Sequence, residues 1–122
     1  MSINKLKSEI KLKFEDNEYT ARMSLDSIIR IEHALGFSIL KLGNKIASAE
    51  ITTSEIISVI TLALRAGGNN FQDKDVKLMI ANIGLLKAMK LAGELVTVAL
   101  HIDEEDDDTE KKSITEEQKI QD

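Results

Sequence analysis

The sequence predicts an α+β domain that is mainly α: an N-terminal β-hairpin, then four or five helices, then an acidic tail. Three observations carry this. Residues 9–14 alternate polar and apolar with a period of two. From Ser24 to Ile102 apolar residues recur at helical spacings, interrupted at Gly36, Gly67-Gly68 and Gly84. Beyond Ile102 the pattern stops, and residues 103–108 are all acidic.

The hairpin comes first. Ile10, Leu12 and Phe14 fall on one face of a strand, with Glu9, Lys11 and Lys13 on the other. Tyr19, Ala21 and Met23 repeat the alternation after Glu15-Asp16-Asn17-Glu18. The Asp-Asn pair tolerates left-handed backbone angles and suits a tight turn.

Ser24 is placed to cap a helix over Leu25 to Leu35, which Gly36 closes. Its Leu25, Ile28, Ile29, Ile31 and Leu35 share a side, and Glu32 interrupts that arc. Two readings of Glu32 stand. Its methylenes can pack while the head reaches water, or it can pair with Arg22 or Arg65. A second helix, about Ser38 to Ala47, aligns Ile39, Leu42 and Ile46. Gly43 in its middle marks either a close helix contact or a weak helix.

Thr52 to Gly68 is the expected centre of the fold. Thr52 and Glu55 have the spacing of a capping box. Apolar residues then cover most of the circumference, leaving Ser54, Ser58, Thr61 and Arg65 as one narrow polar stripe. Such a helix is buried from several directions. Its length of about fourteen residues falls short of the roughly 20 that span a bilayer. Ile56, Ile60 and Leu64, with Leu35 from the earlier helix, are the expected deep core. Gly67 and Gly68 offer the φ > 0 position of a C-terminal cap. The loop they open lacks the Gly-Lys-Ser/Thr of a phosphate cradle.

Asp73 is placed to cap a further helix, with Val76, Met79, Ile80 and Ile83 on one face and Gly84 as its interruption. From Leu85 to Ile102 two apolar stripes run side by side. One is Leu85, Met89, Ala92, Val96 and Ala99; the other is Ala88, Leu91, Leu95, Val98 and Ile102. One stripe suffices to dock this helix on the body. Ala88, Leu91, Leu95 and Val98 are therefore the candidate partner-binding residues. The alternative is that a small domain wraps both stripes.

Composition narrows the function classes. The chain of 122 residues carries a net charge of −5, but the charge is uneven. Residues 103–122 hold ten acids against three lysines, whereas residues 1–102 hold eleven acids against thirteen bases. The expected division is a single domain over 1–102 and a disordered acidic tail over 103–122, because a block of like charges repels itself. Neither part makes the basic surface of a nucleic-acid binder. There is no cysteine, which excludes thiolate and disulfide chemistry and fits a reducing compartment. The first fourteen residues have no continuous apolar run, so they are not expected to act as a signal peptide. His33 and His101 are the only histidines, and neither lies in a zinc or triad motif. No EF-hand spacing occurs in the acidic block. No catalytic, cofactor or metal residue is expected, and no membrane segment.

The segments SLDSIIRIEHALGFSILKL, TTSEIISVITLALRAGG and KLMIANIGLLKAMKLAGELVTVAL, behind a short hairpin, resemble a known family. It is the tail-assembly-chaperone-like family of gene transfer agents and tailed phages, also labelled phage tail tube protein. The resemblance is carried by Ile31-Glu32-His33-Ala34-Leu35-Gly36 and by the Leu62-to-Gly68 run, and it covers roughly Phe14 to Leu100. It implies a non-enzymatic chaperone in the cytoplasm of a bacterial host. Such a protein would bind the tape measure protein during tail morphogenesis and keep it soluble until tail tube subunits polymerise around it. Self-association is compatible with this. Two other classes remain: a structural component of the finished tail, tube or connector, and a small regulatory adaptor whose acidic tail mimics phosphate.

Overall fold

A computed structural model of the chain describes residues 8–102. The expectation of a disordered tail over 103–122 lies outside the described residues. Within them the order is β1 (Glu9–Phe14), β2 (Asn17–Arg22), α1 (Leu25–Leu35), α2 (Ile39–Ala47), α3 (Thr53–Ala66), α4 (Asp73–Ile83) and α5 (Leu85–Leu100). The predicted class, hairpin then helices, is the one observed.

β1 and β2 pair antiparallel, with Leu12 opposite Tyr19 and Phe14 opposite Asn17. The connection is therefore two residues, Glu15-Asp16, shorter than the four-residue link expected. Glu15 takes φ 59°, the positive angle a two-residue hairpin needs at its first central position. The shorter turn preserves the pleat: Leu12, Phe14, Ala21 and Met23 are all buried while Lys11 and Lys13 stay exposed.

α3 is the central helix. It packs against β2, α1, α4 and α5, and Val59, Ile60, Ala63 and Leu64 have no exposed surface. Its start is the expected capping box: Glu55 N–H donates to Thr52 Oγ1 at 3.2 Å, and Thr52 N–H donates to Glu55 Oε1 at 2.9 Å. Thr61, read as part of a polar stripe, is instead 2% exposed, and its Oγ1 has no hydrogen-bond partner among the described residues. Leu35 is a second correction. It is half-buried rather than deep, because it ends α1 where Gly36, at φ 86°, turns the chain outward. A third is the start of α4, which lies one residue earlier than expected. Gln72 is the N-cap, and its N–H donates to Asp75 Oδ2 at 2.8 Å.

The α3 C-terminus is fastened to the hairpin. Of the two glycines only Gly68 has positive φ, at 104°. Gly67 serves a different need, close approach to β2. A Cβ there would overlap the Thr20 carbonyl and lie 2.9 Å from Ala21 Cα. Asn69 Nδ2 donates to the same Thr20 oxygen at 2.8 Å and to the Leu64 oxygen at 3.0 Å. Backbone cannot rotate aside as a side chain can. Gly67→Ala should therefore push α3 off β2 and cost about 1–3 kcal/mol, the range of overpacked sites. Chemical denaturation checks this; an unchanged midpoint would mean the two segments are not in contact.

Candidate partner-binding surface

α5 decides where a partner can bind, since it packs against α2, α3, α4 and β1. Those neighbours cover both apolar stripes except at Leu85, where the helix begins. Ala88 and Leu95 have no exposed surface, and Leu91 and Val98 are half-buried against the core. The stripe expected to stand open is thus not open in the isolated chain. The body is small enough to wrap the helix on two sides; Lys87, Lys90, Glu94, Thr97 and His101 stay exposed, as do Leu85, Leu86 and Leu100.

What α5 does leave accessible is a groove along α2. Gly43 faces Val96: a Cβ on Gly43 would lie 3.4 Å from Val96 Cγ1 and 3.8 Å from Leu100 Cδ1. Gly93 faces Ile46, with a hypothetical Cβ 3.8 Å from Ile46 Cγ2. Gly43 therefore marks a close helix contact, the first of the two readings its position allowed. Beside this contact lies a hollow of about 520 Å³ lined by Gly43, Ile46, Ala47, Gly93, Val96 and Leu100, with Lys90, Glu94 and Thr97. Leu40 sits one turn before Gly43, and Leu86 one turn before Lys90. They are 63% and 65% exposed, and Leu100 is 42% exposed.

α2 is held in place by contacts the sequence does not advertise. Glu32 Oε2 accepts from the Ile39 N–H at 2.9 Å, and Ser38 Oγ accepts from the Lys41 N–H at 3.1 Å. Two N–H groups that the first turn of α2 leaves unpaired are thereby satisfied. Glu32 is thus an acceptor for the next helix. On the side of α2 away from the groove, Lys41 and Lys45 lie 5.7 and 5.0 Å from the Phe37 ring centroid. Lys45 Nζ also meets Glu55 Oε2 at 3.1 Å. Burial alone would raise the Glu55 carboxyl, but the Thr52 N–H and the Lys45 ammonium outweigh it and hold the group below its ordinary value. The cations of α2 are drawn away from the groove.

A second hollow, about 480 Å³, lies between the hairpin turn and the α4–α5 junction, lined by Lys13, Glu15, Asn82, Ile83 and Lys87. His101 Nδ1 lies 2.8 Å from the Thr97 carbonyl, and His33 is exposed on α1. Among the described residues no group of three or more His, Asp or Glu side chains is placed to hold a metal ion. No helix among them is long and apolar enough to cross a membrane.

Comparison with known proteins adds one finding. Residues 7–101 match the model of a family described as "Phage tail tube protein, GTA-gp10". No curated protein and no solved structure matches the chain. The match spans both strands and all five helices, so the chain belongs to this phage tail protein family.

Proposed function

We propose that the protein is a tail assembly chaperone that binds the tape measure protein. Membership of a phage tail family supports a role in tail morphogenesis. The observation that carries the finer reading is the amount of apolar helix surface left uncovered. Leu25, Ile29, Leu40, Leu78, Leu85, Leu86 and Leu100 are between 42% and 69% exposed, and they come from four of the five helices. Exposed leucines are ordinary singly; recurrence on four helices suits a protein that keeps an apolar partner in solution. Binding of this kind needs no catalytic group, cofactor or metal.

Because Ala88 and Leu95 are buried, the proposed contact is made by the exposed leucines, with Leu91 and Val98 at most at its margin. Co-expression with the tape measure protein tests the reading. The tape measure protein should move from the insoluble to the soluble fraction and co-purify with the full chain. Tape measure protein that stays insoluble, or soluble protein that separates on the first column, would contradict it.

A further inference from the structure

We propose that the α2–α5 groove is a self-complementary dimer contact, filled in solution by Leu86 of a second copy of the chain. This stands independently of the chaperone reading above. Leu86, Gly93 and Leu100 recur at intervals of seven, so they lie in line on one face of α5. Leu86 is a projection: it is 65% exposed and does not line the hollow. The hollow lies at the other end of the line, from Gly93 to Leu100. There α2 runs antiparallel to α5, since Gly43 meets Val96 and Leu100 while Ile46 meets Gly93. Leu40, one turn before Gly43 and 63% exposed, therefore stands at the outer end of the hollow. A twofold axis at Gly93 would set two α5 helices antiparallel, with Leu86 of one copy opposite the partner's Leu100. Each Leu86 then enters the other copy's hollow beside Leu40 and Leu100. Gly93, on the axis, has no side chain to hold the helices apart.

Charge identifies the occupant as a copy of this chain. Lys90 and Glu94 line the hollow from exposed positions, and neither makes an ion pair among the described residues. Reversing the helix about Gly93 brings Lys90 of one copy to within about 3 Å, along the axis, of the partner's Glu94. The twofold makes that pair twice, so each charge of one copy meets its opposite on the other. An unrelated apolar helix would leave both charges without a partner. The dimer leaves Leu25, Ile29 and Leu78, on α1 and α4, outside the contact and open to an apolar partner.

Sedimentation equilibrium of the full chain, alone, tests this. A small contact of this kind dissociates in about the micromolar range, so the wild type should be dimeric at roughly 100 μM. Leu86→Glu alters an exposed residue. It should keep the wild-type melting temperature and weaken dimerisation about a hundredfold. Lys90→Glu or Glu94→Lys alone should weaken it about tenfold, because like charges then face each other. Mixing those two variants should restore a dimer of one copy of each, since every facing pair is again opposite in sign. Recovery on mixing is a result that damage to the fold could not produce. A wild type that is monomeric at roughly 100 μM overturns the proposal. If such a monomer loses tape measure protein through Leu86→Glu, the groove belongs to that partner. If it dimerises once residues 103–122 are removed, the groove belongs to the chain's own tail. A dimer that Leu86→Glu leaves intact, or that mixing fails to restore, overturns the twofold at Gly93 while the chaperone reading stands.

Discussion

Leu95→Glu should unfold the chain. Leu95 has no exposed surface and lies on the face of α5 turned to the core. A carboxylate placed there would need a cation, and Lys45, the one half-buried lysine among the described residues, is already paired with Glu55. An uncompensated buried charge costs about 3–5 kcal/mol, and the lost leucine burial adds about 1.5–3 kcal/mol. Together these rival the roughly 5–15 kcal/mol that holds a domain folded. Far-UV circular dichroism at 25 °C should show lost helix. A folded Leu95→Glu chain with an unchanged melting temperature would return this residue to the surface and restore the open stripe.

Ile60→Ala should cost about 2–5 kcal/mol, the range for large-to-small changes in a packed core. Ile60 sits on α3, between β2, α1, α4 and α5, and has no exposed surface. The neighbouring residue gives a change of opposite sign. Thr61 Oγ1 is buried without a partner among the described residues. Valine has nearly the same shape and no hydroxyl to desolvate, so Thr61→Val should raise stability by about 1 kcal/mol. Urea denaturation of the two variants separates them. A loss under about 0.5 kcal/mol for Ile60→Ala, typical of surface sites, would show that α3 is not central.

The elements were legible in the sequence where their signals are local. Ser24, Thr52 with Glu55, and Gly36 act within one helical turn, and all four serve as read. Alternation over 9–14 gave β1 its bounds. What the sequence hid depends on how elements meet. Glu32 interrupts an apolar arc because it serves α2, seven residues on, and that is set by the angle at which the chain returns. Gly67 and Gly68 look alike, yet one answers to Thr20 in β2 and the other to its own φ. The α5 stripes left two readings open for the same reason. Periodicity shows that a face is apolar but not how many neighbours cover it, and here α2, α3, α4 and β1 cover two faces. Of the groove only Gly43 was singled out in the sequence, and only the fold sets it in one hollow with Gly93.

That hollow depends on how α2 is held. The Glu32 and Ser38 acceptors fix the start of α2, and Lys45 with Glu55 ties its end to α3. The Glu55 carboxyl is held below its ordinary value, so its contribution to stability is present at neutral pH and is lost as pH falls through the lowered value. Gly43 then lets α2 sit against Val96. A chain built this way presents its uncovered leucines on a stable body.

A tail assembly chaperone of the kind proposed would hold the tape measure protein during assembly and then leave. Quantitative mass spectrometry of tail intermediates and of purified finished tails tests it most directly. The account predicts that the chain is present with the tape measure protein in soluble intermediates and depleted from finished tails. Retention in finished tails at a fixed ratio to the tube subunit would contradict it and make the protein a component of the tail itself.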